Sequence, residues 1–219
     1  ESGEEFTDEV TGEINFAQVY NQYREENNIP FVNEIIKLRK DCQLSKADMG
    51  RVLGFGENQY YHYELGEVPS PSNGRLMRTL ICNRNALVSA INESSIKESN
   101  KVKALKSLDA LSEIEQAEKT IYELLFPVKQ NINNGYALTS VNKVRQMILF
   151  FLGQMNVGYK TALNKLMFYA DFLMFKEHCV GISGFTYSAL PYGNVPNNFK
   201  VLYGVFDEID EVDGERPYF

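Results

Sequence analysis

Apolar residues recur at helical spacing along much of this chain, and the tightest succession of such segments runs from Asn33 to Leu80. Ile35, Ile36 and Leu38 give a first helix its apolar side. Lys37, Arg39 and Lys40 crowd its C-terminal end, where cations suit the macrodipole. Ser45 opens a second helix, with a hydroxyl able to accept from the backbone N–H of Asp48, whose charge is favoured in a first turn. Gly54 ends it, because glycine takes positive φ without a Cβ penalty. The chain turns through Val52 to Gly56 and restarts as a third helix over Glu57 to Leu65. Gly66, Pro69 and Pro71 stop that helix, and Arg75 and Arg78 fall on a fourth, whose buried side is Leu76, Met77 and Leu80. The order predicts a helix-turn-helix with its third helix presented at the surface.

Residues 1–13 are acidic and read as an extended arm or a connection from something upstream. Ile14 to Glu26 carries Phe16, Val19, Tyr20 and Tyr23 at helical spacing and is stopped by Asn27-Asn28-Ile29-Pro30. Leu87 to Ile91 is a last apolar helical turn of the helix-turn-helix unit. After the polar stretch Ser94 to Asn100, Lys101 to Leu125 is a long helical pattern ended by Pro127, with Leu105, Leu108, Leu111, Ile114 and Ile121 on one broad side and charges opposite. It either packs on its own domain or connects and dimerises.

Asn131 to Gly135 has loop composition, and two helices follow. Val144, Met147 and Ile148 mark the first; Leu163, Met167 and Ala170 mark the second, apolar on so much of its circumference that a core helix is predicted. Phe185 to Leu190 is a short β-prone run, Pro191 to Pro196 a tight loop, and a helix returns from Asn197. The fold class is therefore mostly α with a C-terminal α+β part. The domains are 1–32 (arm and short helix), 33–92 (helix-turn-helix), 93–130 (helical connector) and 131–219.

Composition narrows the function. At 219 residues and 44% hydrophobic, two modest domains are expected, and no apolar run is long enough for a membrane span. Three scattered cysteines fit reduced thiols in a cytoplasm, and the absence of any CxxC pair leaves no zinc site to name. No metal, cofactor or catalytic group is expected. A first residue of Glu rather than Met suits a processed or trimmed piece.

A net charge of −7 argues against a general nucleic-acid binder. Between Asn33 and Leu80, seven basic side chains face six acidic ones, a weak footprint that a homodimer on two half-sites would remedy. On the third helix Tyr60 and Tyr63 would face the core, while Glu57, Asn58, Tyr61 and His62 would face a groove. Asn58 could read adenine, and Glu57 could accept from a cytosine amino group. Lys46, Arg75 and Arg78 are the phosphate candidates. The plain alternatives are solvated surface charge and a helix-turn-helix that binds protein rather than DNA.

His178 and Cys179 are neighbours and cannot pair as base and nucleophile on one helix face. Asp171 reads as a satisfied buried carboxylate bonded to backbone donors of the Gly181 to Gly184 turn, with Lys165 a candidate partner.

The words Lys165-Leu-Met-Phe-Tyr-Ala-Asp171-Phe, Gly181-Ile-Ser-Gly184-Phe-Thr-Tyr187 and Tyr192-Gly193-Asn-Val-Pro196 resemble, in order and spacing, the Panacea or SocA-like antitoxin domain. Asn194 stands where that family's loop has Pro. Gly54-Phe-Gly56-Glu-Asn58-Gln-Tyr-Tyr-His62-Tyr-Glu64-Leu-Gly66 is similar to the Xre-like helix-turn-helix of MqsA-type antitoxins, without their zinc finger. The two resemblances imply a cytoplasmic antitoxin that neutralises a cognate toxin by direct protein binding and represses its own operon at operator DNA. They also imply that Lys165, Asp171, Gly184, Tyr187 and Gly193 are structural motif residues. The other reading is a helix-turn-helix transcriptional regulator or proteolytic adaptor whose C-terminal domain binds a non-toxin protein.

Overall fold

The computed structural model describes residues 8–56, 58–126, 129–206, 209 and 219. The Glu57 site and the helix stop expected at Pro127 lie outside the described residues. The protein is mostly helical, with one small two-stranded sheet near its C-terminal end. The chain divides into two compact units, Val19–Ala117 and a second formed by Glu1–Gln18 with Glu118–Phe219. No helix among the described residues is long and apolar enough to cross a membrane.

The Val19–Ala117 unit holds the later part of α1 (Glu9–Glu26), then α2 (Val32–Asp41), α3 (Lys46–Leu53), α4 (Gln59–Glu64), α5 (Pro71–Cys82), α6 (Arg84–Glu93) and the first part of α7 (Glu98–Leu125). Residues 9–13 are helical rather than an extended arm, because Asp8 Oδ1 accepts from the Thr11 N–H at 2.7 Å and opens the helix. Arg24, and not the aromatic side of α1, is buried here, and its Nη2 donates to the Gly66 carbonyl at 2.7 Å.

Ser45 Oγ accepts from the Asp48 N–H at 3.0 Å, and Gly54 closes α3 at φ +72°. On α5, Met77 and Leu80 are buried, but Leu76 is exposed; the inward stripe continues instead through Gly74, three residues before Met77. The core gathers Ile35, Met49, Tyr60, Met77, Ile91 and Leu108.

The second unit contains α8 (Val141–Gln154), α9 (Lys160–His178), β1 (Tyr187–Leu190), β2 (Gly193–Pro196) and α10 (Phe199–Leu202). The stretch expected to be a loop at 193–196 is a strand. β1 and β2 run antiparallel, Tyr187 opposite Pro196 and Ala189 opposite Asn194, so only Pro191 and Tyr192 form the turn. Gly193 makes this register available: its φ is +128°, and a Cβ there would lie 3.0 Å from Lys165 Cε.

The core of this unit is built by Val144, Ile148, Leu163, Met167, Phe185 and Leu202. Only one side of α9 enters it, through Leu163, Asn164, Met167 and Asp171. Tyr169, Phe172 and Leu173 are exposed. A helix expected to be a core helix is covered over only part of its circumference, with α8 and β2 as its main neighbours.

Candidate functional site

Glu64, at the last position of α4, fixes that short helix against two others. Its carboxylate accepts from Arg39 on α2, Nε at 2.5 Å and Nη2 at 3.2 Å, and lies 3.5 Å from Lys46 Nζ at the start of α3. The carboxylate is nearly buried, and its hydrogen bonds with Arg39 raise the guanidinium's pKa above its ordinary value. Below it Tyr60 is fully enclosed, with its hydroxyl donating to the Ile35 carbonyl at 2.6 Å, and Tyr63 meets the Phe55 ring edge-on at 5.8 Å.

With Tyr60 and Tyr63 turned inward, Asn58, Tyr61 and His62 are exposed. Lys46 reaches over this surface, its Nζ 4.4 Å from the centre of the Tyr61 ring. Arg75 is exposed, and its guanidinium has no ion pair among the described residues. Arg78 differs: Nη1 and Nη2 donate to the two Glu34 oxygens at 2.6 and 3.0 Å, while Glu34 also accepts from the Phe31 N–H at 2.8 Å. Glu34 thus opens α2 and clamps α5 to it, and the Arg78 charge is compensated within the unit.

In the second unit the centre of organisation is Asp171. Oδ1 accepts from the backbone N–H groups of Ile182 and Ser183 at 2.6 and 2.8 Å, and Oδ2 accepts from Ser183 Oγ and from the Tyr187 hydroxyl, the latter at 2.5 Å. Four donors therefore surround one buried carboxylate. Burial, then the negative charge of Asp171, push the Tyr187 phenol up, so it stays a donor. Lys165 is exposed and is not among the partners of Asp171.

Gly184 follows at φ +81°, where a Cβ would come within 2.8 Å of Thr139 Cγ2. The turn is closed further along by Asn197, whose Nδ2 donates to Thr186 Oγ1 at 2.8 Å while its Oδ1 accepts from Ser188 Oγ at 2.5 Å.

Beside this hub runs a groove of about 730 Å³. Phe168, Phe172 and Phe175 of α9 line it, with the turn at Ile132–Asn134 and the hairpin residues Thr186, Ala189 and Asn194. Phe168 and Phe172 are 4.2 Å apart by ring centres, and Phe168 meets Tyr187 edge-on at 5.2 Å. Phe168 and Phe172 lie in the word Lys165 to Phe172, whose expected role is to build the domain rather than to touch a partner, and Phe175 carries no expected role. Their signal was the spacing 168, 172, 175, a second apolar stripe on a helix already credited with one. Ser183 was also missed as a side-chain donor.

Cys179 ends α9, with a φ of +56°, and burial pushes its thiol up, the direction opposite to an activated nucleophile. His178 is exposed. No group of three or more His, Cys, Asp or Glu among the described residues could hold a metal ion.

The family model of the SocA-like antitoxin Panacea domain matches residues 163–217. The match spans about a quarter of the chain and contains most of α9, the Asp171 hub and the hairpin. The second unit thus carries a Panacea, SocA-like antitoxin domain at these residues. No curated protein and no solved structure matches the chain.

Proposed function

We propose that this protein is a non-enzymatic antitoxin of the cytoplasm, which neutralises a partner toxin by direct protein binding through its second unit. The observation that carries the reading is the Panacea match over α9, the Asp171 hub and the hairpin. The surface supports it: Tyr169, Phe172 and Leu173 are each more than half exposed, and Tyr192 at the hairpin tip is 85% exposed. Large apolar side chains left on a surface favour a protein partner.

The first unit would bind operator DNA as a homodimer and repress the operon. Support comes from the order of α2 to α5, the inward Tyr60 and Tyr63, and the outward Asn58, Tyr61 and His62. Glu57 belongs to this proposed surface by sequence. Arg75 is the phosphate contact this arrangement favours most; Lys46 shares its charge with Glu64 at 3.5 Å, and Arg78 serves mainly to join α5 to α2.

The test is growth rescue: the product of the reading frame adjoining this gene is expressed with and without the full chain. Rescue, together with co-purification of the two proteins, is the expected result. A toxic neighbour that the full chain neither rescues nor binds would overturn the antitoxin reading.

A further inference from the structure

The Panacea match locates a domain and leaves its gripping surface unassigned; the groove along α9 has the chemistry of such a surface. We propose that it receives an extended, uncharged peptide segment of the partner protein, held by the Asn133 and Asn194 amides at its main chain and by Phe168 and Phe172 at an apolar side chain. The proposal rests on the antitoxin reading above and names the surface that reading requires.

The electrostatics select the occupant. The groove has no lysine, arginine or histidine in its lining, so no side-chain cation there would neutralise a phosphate or a carboxylate. Its one carboxylate, Asp171, already accepts from four protein donors, so a cation would find no vacant acceptor pair without dismantling the hub. With no side-chain cation in the lining and its one carboxylate saturated by internal donors, the groove favours an uncharged ligand.

The polar groups left over narrow it further. Asn134 and Asn197 have both ends of their amides engaged, Asn134 with Asn131 N and Lys129 O, Asn197 with Ser188 and Thr186. Asn133 and Asn194 line the groove from separate elements, the turn and the hairpin, and neither side-chain amide has a partner among the described residues. Each amide offers a donor and an acceptor, the pair that a peptide unit presents in return. An extended segment repeats that pair along its length, whereas a compact apolar molecule has nothing to satisfy it.

The groove volume, about 730 Å³, lies in the range of sites that bury most of a drug-sized ligand. Phe172, at 57% exposed, can be changed without opening a core, which makes the idea testable on the intact protein.

Three full-length proteins, wild type, Asn194→Asp and Phe172→Glu, are first compared in growth rescue against the adjoining gene's product. Peptides of about twelve residues tiled across that product are then titrated against each protein by fluorescence anisotropy. The expected result is one uncharged window that binds wild type and is weakened about tenfold or more by each variant, with rescue lost in parallel and thermal unfolding unchanged.

If wild type rescues and both variants rescue equally well, the groove is not the gripping surface, although the antitoxin reading stands. A bound window rich in charge, or tiles from this chain itself binding in the same way, would also overturn the proposal, the latter in favour of self-association. If wild type fails to rescue, the antitoxin reading fails and takes the proposal with it.

Discussion

The Tyr187 hydroxyl donates to Asp171 Oδ2 at 2.5 Å, joining a strand to a helix sixteen residues earlier. Through that bond the first residue of the hairpin is set against the middle of α9, and the Tyr187 ring comes to rest on Phe168. The groove wall is therefore positioned by the same carboxylate that closes the Ile182–Ser183 turn.

Replacing Asp171 should cost more than replacing any one of its donors. Asp171→Asn puts an amide N–H₂ against donors and should destabilise the unit by roughly 3 kcal/mol, whereas Tyr187→Phe leaves three donors in place and should cost about 1–2 kcal/mol. Urea unfolding followed by far-ultraviolet circular dichroism measures both. Equal losses for the two variants would mean that the carboxylate is not the centre of the arrangement.

Alkaline pH should weaken the fold. Cys42 is pushed up to about 12, chiefly by burial and then by the Asp41 charge. Tyr60 and Tyr187 are raised by burial and then by Glu64 and Asp171 respectively. In the unfolded chain these groups release protons from about pH 9 for the thiol and about pH 10 for the phenols, while the folded chain keeps them. The unfolded state then binds fewer protons, so stability present below that window falls as pH rises through it. Urea midpoints at about pH 8 and about pH 10.5 should differ less for Tyr60→Phe and Tyr187→Phe than for wild type. An unchanged difference in both variants would contradict the assignment.

The helical order was legible from sequence because its punctuation is local. Ser45 with Asp48 and Gly54 are a cap and a stop that act within one turn, and each is where the pattern placed it. Pro71, expected only to stop the third helix, instead opens α5 behind its cap Ser70. The backbone donors to Asp171 were also readable, since Gly181-Ile182-Ser183-Gly184 is a turn sequence a few residues beyond the carboxylate.

What sequence did not show depends on partners far along the chain. Nothing near Arg78 names Glu34, 44 residues away. The strand at Gly193 to Pro196 is a local miss by contrast: its partners, Leu190 back to Tyr187, lie just across the turn at Pro191 and Tyr192, but Gly, Asn and Pro are poor strand formers and read as a loop. The exposure of Tyr169 and Phe172 was hidden for a different reason. Periodicity counts apolar residues on a helix, but the area available to cover them depends on how many elements pack around it.

Gly184→Ala should test the turn independently of Asp171. The new methyl would meet Thr139 Cγ2 at 2.8 Å and sit at φ +81°, two penalties together worth about 2–3 kcal/mol. Thr139→Ser removes the colliding methyl and leaves the φ strain. The double variant should therefore recover part of the loss, which a double-mutant cycle on urea midpoints would reveal. Full additivity of the two single effects would exclude the contact as the cause.

The proposed DNA surface separates three side chains that charge alone would group. Asn58→Ala should weaken binding at the protein's own promoter more than at random duplex, because an amide reads base edges. Arg75→Ala should weaken both duplexes and lower the salt slope by about one unit, as expected for a lost phosphate contact. Arg78→Ala should act mainly on the fold. Its guanidinium is bound to Glu34 at 2.6 and 3.0 Å, so removing it leaves that carboxylate without its cation, and Tm should fall with the salt slope little changed. Electrophoretic mobility shifts over a salt series, paired with thermal melts, distinguish these outcomes. If wild type shows no preference for its own promoter at low salt, the repressor half of the proposed function is wrong.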